Sequence, residues 1–403
     1  NLKSKIRLKA MKFFKKILGE EWAELQKFNQ LNQDERSIVF YAEDSSSFVH
    51  FEQIIYELTE KMECQICYVT SAKDDPILSN QNKRIRAFYI GLGTARITFF
   101  LELKAKILVM TMPDLETYQI KRSRVYPVHY VYVFHSINST HRNYRKSAFD
   151  HFDSIFCVGR HQIEEIRATE SVYNLNPKNL VEHGYGLLDK LQKNKSVKKT
   201  ANNIKTKDGK KNILVAPSWG EKGLLETVGS DLVRILLDNK YHVIVRPHPM
   251  TIRKWPHIIE KIKQEFNDNL DFEMETNTNS FETLYSTYGL ISDWSGIGIE
   301  YAFVCERPVL YIDVPQKTNN PYYNDITCKP LENSIRNLIG KIISPNELES
   351  IPKIIESTYE NIEYFKTKIQ KIQKQTIFNL EQSGIRGAQE IVKILHEKKT
   401  QSN

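Results

Sequence analysis

Short apolar segments alternate with longer segments of helical periodicity along most of the chain. In the first half the apolar segments are rich in β-branched and aromatic residues, and segments with helical spacing, such as residues 49–62 and 144–151, separate them. This alternation predicts a parallel sheet covered by helices. The predicted strands are Ile38–Ala42, Ile66–Thr70, Ile107–Met110, Tyr130–Phe134 and Ser154–Val158.

The same alternation restarts after a polar interruption at residues 190–211, which are rich in lysine and almost free of apolar side chains. Such a segment is typical of an interdomain linker or a long exposed loop. Further strands are predicted at Asn212–Ala216, Tyr241–Arg246, Gly289–Ser292 and Pro308–Ile312. We therefore predict an α/β protein in which two Rossmann-like parallel-sheet domains face a central cleft. The predicted domains cover residues 37–190 and 212–345, with a basic linker at 191–211 and C-terminal helices at 346–403 that pack back across the cleft.

Residues 1–36 are predicted to form a basic amphipathic helical segment. Apolar positions recur at helical spacing through residues 2–28, and Lys5, Lys9, Lys12 and Lys16 lie mostly on the other side. Such a helix adsorbs to an anionic membrane surface or packs on a domain with its lysines in water, and the pattern fits both. The sequence contains no apolar run long enough to cross a bilayer and no signal-peptide pattern. We expect a cytoplasmic protein, at most peripheral on the inner face of the membrane.

The formal net charge is +8, with the excess concentrated in the N-terminal segment and the lysine-rich interruption. Local positive charge favours anionic partners. Nucleic acid is not expected, because the sequence has no zinc-finger spacing, RNA-recognition signature or basic heptads. The five scattered cysteines indicate a reduced compartment. Cys64 and Cys67 lack a second cysteine or histidine pair at metal-ligand spacing, so a place in the core is favoured over a metal site.

A predicted strand of the second domain ends at Arg246-Pro-His248-Pro. The prolines fix the backbone and present the polar side chains at the carboxyl end of the strand, where open α/β sheets bind ligands. Arginine offers a fork of donors that matches phosphate oxygens, and histidine donates a hydrogen bond or a proton to a leaving phosphate. Together they suit a diphosphate. The alternative is a strand end at which Arg246 pairs with a carboxylate.

A second polar turn, Ser292-Asp293-Trp294-Ser295-Gly296, connects a predicted strand to a predicted helix. Unpaired backbone N–H groups and the helix dipole make such a helix start an anion site. Capping of the helix by a serine or aspartate is compatible with phosphate binding. Glu300, one helical turn later, is placed to accept hydrogen bonds from ribose or another hydroxyl-bearing group, or to pair with Arg307 or a lysine.

In the first domain, His135 follows the apolar strand Tyr130–Phe134. A histidine at a strand end is placed to act as a general base toward an acceptor hydroxyl, although a structural histidine gives the same pattern. His129 and His141 lie nearby in the sequence without needing to converge on one point. We expect neither a protein-held metal nor a cofactor, beyond a nucleotide-activated substrate.

Taken in order, these motifs resemble those of the CDP-glycerol glycerophosphotransferase family, which includes teichoic-acid primases and polymerases with a GT-B-like fold. Ser292–Gly296 with the later Glu300 resembles the family's Asp-Tyr-Ser-Ser with a later acid. Arg246–Pro249 resembles its Arg-x-His-Pro. The other matching segments are Phe134–Ser136 for a His-Gly element, Gly184–Asp189 for Gly-Tyr-Pro-x-x-Asp, Ala216–Trp219 for Ala-Pro-Thr-Trp, and Arg307–Asp313.

The resemblance implies a transferase in which an acceptor hydroxyl attacks the outer phosphorus of a CDP-activated donor and releases CMP. It implies catalytic roles for His135, as base, and His248, on the donor diphosphate. The implied acceptor is a polyol-phosphate or glycan, including a lipid-linked one. The residues implied in substrate binding are Arg246, Ser295, Gly296, Asp293, Glu300, Ser218, Trp219 and Ser136.

Four positions depart from the family pattern and leave the transferred group open among glycerol phosphate, ribitol phosphate and a sugar. Ser136 replaces a glycine, Gly220 stands where an arginine often follows the tryptophan, Gly186-Leu-Leu replaces Pro-Arg-Asn, and Gly296 replaces a second serine. One alternative function is a GT-B glycosyltransferase that uses a CMP- or UDP-activated sugar in capsule synthesis. Others are an enzyme similar to UDP-N-acetylglucosamine 2-epimerase, and a non-catalytic relative that binds anionic polymer or lipid.

Overall fold

The computed structural model describes residues 19–197, 205–277 and 281–400. The chain divides into two compact units. The first unit contains Asn1–His135, Tyr144–Leu187 and Phe378–Asn403, and the second contains Ser136–Asn143 and Leu188–Ile377. Each unit is built on one parallel sheet, which confirms the predicted α/β fold class.

The first unit contains a seven-stranded parallel sheet in the order β3-β2-β1-β4-β5-β6-β7. Its interior strands are buried on both faces, because continuous apolar runs of this kind are covered by helices on each side. The five predicted strands are confirmed, and the two that the apolar pattern missed are the half-exposed edge strands. The strands are β1 Ile38–Ala42, β2 Ile66–Thr70, β3 Ile85–Tyr89, β4 Ile107–Met110, β5 His129–Val133, β6 Ser154–Cys157 and β7 Asn179–Glu182.

Helices cover this first sheet. The first described helix buries Leu25 and Phe28, and the Phe28 ring packs edge-to-face on Phe88 and Phe99. The last helix contributes Ile391 to the same core as Phe51. The helices are α1 Glu20–Asn29, α2 Phe48–Tyr56, α3 Thr94–Glu102, α4 Thr140–Asn143 (in the second unit), α5 Arg160–Tyr173, α6 Gly186–Val197 (in the second unit from Leu188 onward) and, at the end of the chain, α16 Ser383–Thr400.

The second unit contains a six-stranded parallel sheet in the order β10-β9-β8-β11-β12-β13. The four predicted strands are its four interior strands, and the edge strands β10 and β13 again carry exposed positions that hide them in the sequence. The strands are β8 Asn212–Val215, β9 His242–Val245, β10 Phe272–Met274, β11 Gly289–Ser292, β12 Val309–Ile312 and β13 Gly340–Ile343.

The helices of the second unit follow its strands in alternation. Ser136–Asn143, which contains the short helix α4, joins this unit through a hydrogen bond from the Ser139 N–H to the Glu332 carboxylate (3.2 Å). The remaining helices are α7 Leu224–Thr227, α8 Gly229–Asp238, α9 Pro249–Lys254, α10 Pro256–Phe266, α11 Glu282–Tyr285, α12 Gly296–Cys305, α13 Leu331–Ile339, α14 Ile351–Glu360 and α15 Ile362–Thr376.

The N-terminal segment and the predicted linker are described only in part. Residues 1–18 of the predicted amphipathic helix lie outside the described residues, and the rest of it contains α1. The segment 191–211, expected to be a linker, begins with the end of α6, where Leu191 is buried, and residues 198–204 are not described. Among the described residues, none of the helices has the length and apolarity needed to cross a membrane.

Candidate active site

Four loops of the second unit start at the carboxyl ends of four adjacent strands, β9, β8, β11 and β12. Parallel strands place these ends on one edge of the sheet, which is where open α/β sheets bind ligands. The loops carry Arg246 and His248 after β9, Ser218 and Trp219 after β8, Asp293 and Ser295 after β11, and Lys317 after β12. The sheet therefore brings together most of the binding residues that the sequence predicted.

Asp293 connects two of these loops. Its carboxylate is completely buried and accepts hydrogen bonds from the Ser218 N–H (2.7 Å) and Oγ (3.0 Å), and from the N–H groups of Trp294 (2.6 Å) and Ser295 (3.2 Å). Burial raises the pKa of Asp293, and these hydrogen bonds act in the opposite direction. The carboxylate thus fixes the backbone conformation of both loops. Its direct contact with substrate stays a prediction.

Ser295 is the N-cap residue of α12 and makes no side-chain capping bond to the helix. The Gly298 N–H donates to the Ser295 carbonyl (3.2 Å), and the two N–H groups before it, at the start of the helix, are placed to bind an anion together with the Ser295 hydroxyl. Gly296 begins the helix, and Glu300 lies one turn further along and is 8% exposed. This geometry suits the phosphate role predicted for Ser295 and Gly296.

Arg246 is 5% exposed and lies at the end of β9. Its Nη1 is 3.8 Å from the Glu275 Oε2 atom, so the structure contains the carboxylate pairing that the sequence analysis left open. Burial lowers the pKa of Arg246, and the charges of Glu275 and then Glu300 raise it. Arg307, the alternative partner for Glu300, instead donates to the Tyr288 carbonyl (3.0 and 2.6 Å). The guanidinium is thus held between β9 and the acidic side chains of neighbouring elements.

His248 caps helix α9 with its ring. Its Nδ1 accepts a hydrogen bond from the Met250 N–H at 3.0 Å, so in the neutral ring the proton resides on Nε2. Burial lowers the pKa of His248 to about 4, and the nearby Lys317 charge acts in the same direction. At neutral pH the ring is therefore uncharged and presents one N–H donor. Such a group can donate a hydrogen bond to a phosphate oxygen, but it does not act as an acid that titrates near neutral pH.

His135 lies in the first unit, directly after β5. Its Nδ1 is 3.1 Å from the Thr111 carbonyl oxygen and donates to it, so the lone pair of the neutral ring is on Nε2. The His135 side chain is exposed to solvent, and desolvation by nearby protein atoms still lowers the pKa of its ring, which keeps the ring neutral at physiological pH. The ring has the protonation state and tautomer of a general base. Ser136, the next residue, belongs to the second unit, where its Oγ accepts from the Asn138 N–H (3.2 Å).

Residues 24–325 match the family described as CDP-glycerol:poly(glycerophosphate) glycerophosphotransferase. This match covers most of the 403 residues and includes both sets of strand-end residues. The chain belongs to this family. The resemblance inferred from the motifs is therefore confirmed, and the protein is a transferase of the glycerophosphotransferase type.

The fold is shared with several solved structures. Wall teichoic acid polymerase TagF, in a structure soaked with CDPG, has a TM-score of 0.58 at 13% identity and covers 99% of both chains. S. aureus MnaA, in a UDP co-structure, has a TM-score of 0.57 at 14% identity over 91% of this chain and 97% of that one. A putative UDP-N-acetylglucosamine 2-epimerase from Listeria monocytogenes has 0.55 at 15%, with the same coverage. These likenesses confirm the GT-B-like fold class. No curated protein sequence matches the chain.

Two of the positions that depart from the family pattern, Gly220 and Gly296, lie in the second unit. Polar side chains from other elements lie close to both glycines. A Cβ atom built on Gly296 would lie 3.2 Å from the Asn138 Oδ1 atom, so Asn138 takes space that the family's second serine would need. A Cβ atom built on Gly220 would lie 3.6 Å from Cδ of Lys317, so the Lys317 side chain passes beside this glycine.

Sequence reasoning missed two groups that the structure brings to these sites. His50 packs edge-to-face on His135, with ring centroids 6.1 Å apart, and its pKa falls to about 3 because of burial and then the His135 charge. The signal was present in the sequence, since His50 follows the polar loop Glu43–Ser47 after β1. Lys254 and Lys317 both lie against the Trp219 ring, and no sequence pattern indicates this, because the contacts join two loops and the end of helix α9.

Proposed function

We propose that the protein transfers a phosphopolyol unit, similar to glycerol phosphate, from a CDP-activated donor to a hydroxyl group of a cell-surface glycopolymer or lipid-linked acceptor, with release of CMP. The observation that carries the proposal is the grouping of Arg246, His248 and Ser295 at the carboxyl ends of β9 and β11, which flank β8, in a member of the glycerophosphotransferase family. An arginine fork, a neutral N–H donor and a helix N-terminus are complementary to a diphosphate.

The donor side of the proposed reaction uses the second unit. The N–H groups at the start of α12 and the Ser295 hydroxyl bind one phosphate, and Arg246 and the His248 Nε2–H donate to the diphosphate oxygens. As the bond between the outer phosphorus and the bridging oxygen breaks, negative charge develops on the departing CMP. Donors already fixed in place stabilise that charge without reorganisation. Asp293 is a positioning residue here, since it sets the loops that carry Ser218 and Ser295.

The acceptor side of the proposed reaction uses His135. Its Nε2 takes the proton of the acceptor hydroxyl while that oxygen forms a bond to the outer phosphorus of the donor. The Thr111 carbonyl accepts from Nδ1 and so holds the ring in the required tautomer. The lowered pKa of His135 means that the basic form persists below the pH at which a histidine of ordinary pKa becomes protonated.

The donor is tested by measuring binding across a panel of CDP-glycerol, CDP-ribitol, CMP-sugars and UDP-sugars. We expect CDP-glycerol to raise the melting temperature of the wild type and to leave that of Arg246→Ala unchanged, because the alanine variant lacks the fork of phosphate donors. Arg253→Ala, which removes an exposed arginine of the neighbouring helix α9, is the matched control and should respond like the wild type. A larger stabilisation by any UDP-sugar would overturn the cytidine assignment and favour a sugar transferase or an epimerase.

We propose further that the N-terminal residues contact an anionic membrane surface. Residues 1–18 carry Lys5, Lys9, Lys12 and Lys16, and each lysine near anionic lipid contributes about 1 kcal/mol. Deleting residues 1–18 leaves α1, which buries Leu25 and Phe28, in place. We expect the full chain to float with vesicles containing anionic lipid and the truncated chain to remain in solution. Equal flotation of the two proteins would contradict the membrane role.

A further inference from the structure

The Trp219 ring in the second unit is surrounded by positive charge. The Lys317 Nζ atom lies 2.6 Å and the Lys254 Nζ atom 4.9 Å from the ring centroid, and the His248 ring lies 6.2 Å away. Within residues 19–197, 205–277 and 281–400, neither lysine forms an ion pair with a carboxylate. The indole ring therefore lies beside two ammonium groups that have no carboxylate partner among the described residues.

Lys317 is half-buried beside the like charge of the exposed Lys254, which disfavours its ammonium form. Burial lowers the pKa of Lys317 to about 8, and the charge of Lys254 acts in the same direction. The π-face of tryptophan stabilises a cation only in part. A phosphate group placed beside both ammonium groups relieves their repulsion and compensates the desolvated charge.

The position of Lys317 in the fold indicates which group of the substrate it binds. Lys317 lies on the loop after β12, and its side chain crosses Gly220, the residue that directly follows Trp219. His248, assigned above to the donor diphosphate, contributes its ring to the same cluster.

We infer that Lys317, supported by Lys254 against Trp219, binds the diphosphate of the donor. This inference rests on the proposed function, because it assigns a further binding residue to the same donor. Lys317 contacts only the phosphates, so its contribution is absent for a ligand without them.

The test is isothermal titration of CDP-glycerol and of cytidine into Lys317→Met, Lys317→Arg and the wild type. Methionine keeps an unbranched side chain over Gly220 and removes only the charge. Since a hydrogen bond to a charged group is worth a factor of about ten to a hundred, Lys317→Met should bind CDP-glycerol more weakly by that factor. Cytidine affinity should not change. Lys222→Met, which removes an exposed lysine near the same loop, should match the wild type.

The pH dependence separates a charge contact from a structural role. The groups that face Lys317 are Lys254 and His248, and His248, with a pKa of about 4, stays neutral between pH 7 and pH 9. The donor phosphodiesters do not titrate in this range. Because Lys317 loses its charge as the pH rises through about 8, wild-type affinity for CDP-glycerol should fall between pH 7 and pH 9. Lys317→Arg should show a smaller fall, since arginine remains charged.

The outcomes are distinguishable. Equal affinities of the wild type and Lys317→Met for CDP-glycerol, or an equal loss of cytidine affinity, would overturn the role of Lys317 and leave the proposed function standing. If the wild type bound none of the CDP donors, the proposed function would fall, and the role of Lys317 with it.

Discussion

Replacing His135 by asparagine is expected to lower the rate of CMP release by a factor of about 10²–10⁴, the usual contribution of a general base. The asparagine amide can still donate to the Thr111 carbonyl as Nδ1 does, so the substitution removes the Nε2 lone pair and little else. The rate is measured at saturating donor, and donor affinity is measured separately. Affinity should be unchanged, because the groups proposed to bind the donor belong to the second unit.

The pH profile of the wild type provides a second readout of His135. Its pKa is lowered by desolvation, so kcat/KM should remain constant through the range in which a histidine of ordinary pKa titrates and fall only at lower pH, as the base becomes protonated. His151→Asn removes an exposed histidine and should retain full activity and the same profile. Normal turnover by His135→Asn would remove His135 from the mechanism.

Replacing Asp293 by alanine is expected to destabilise the second unit by about 3 kcal/mol, because it leaves the N–H groups of Ser218, Trp294 and Ser295 without their acceptor. The free energy of unfolding is measured by chemical denaturation. Asp293→Asn keeps one oxygen for these N–H groups, and its amide can donate to the Ser218 Oγ atom. The asparagine variant should therefore stay within about 1 kcal/mol of the wild type.

Activity should follow the same order, because Asp293 acts through the loops it sets. We expect Asp293→Asn to retain donor affinity and Asp293→Ala to lose it together with stability. Asp268→Ala, at an exposed position of the same unit, controls for the loss of a carboxylate and should be neutral. A stable Asp293→Ala protein with normal donor affinity would contradict the positioning role. Loss of donor binding by a stable Asp293→Asn protein would instead point to a direct contact between the carboxylate and the donor.

The sequence was sufficient to predict the interior strands of both sheets and not their edges. Interior strands are buried on both faces, so β1 and β8 read as continuous apolar runs. Edge strands have one open side and carry polar residues, as Arg86 in β3 and Glu273 in β10 show. Such segments resemble loops when only the pattern of apolar residues is considered.

The same distinction holds for the candidate site. Arg246, His248 and Ser295 belong to short motifs at strand ends, where local sequence already places the side chain, so they could be proposed without a structure. Lys317 and Asn138 approach Gly220 and Gly296 from distant parts of the sequence. The sequence alone shows that these two glycines depart from the family pattern. It does not show which side chains lie against them, because tertiary packing brings those side chains there.

The central claim is transfer of a phosphopolyol from a CDP-activated donor, and the product nucleotide tests it most directly. Breaking the bond between outer phosphorus and bridging oxygen releases CMP, whereas transfer of the polyol alone would release CDP. The measurement is chromatographic quantification of nucleotides after incubation of the full-length protein with CDP-glycerol and a glycerol-phosphate-terminated acceptor. We predict CMP in an amount equal to the glycerol phosphate added to the acceptor. Release of CDP, or turnover of UDP-sugars with CDP-glycerol left intact, would contradict the proposal.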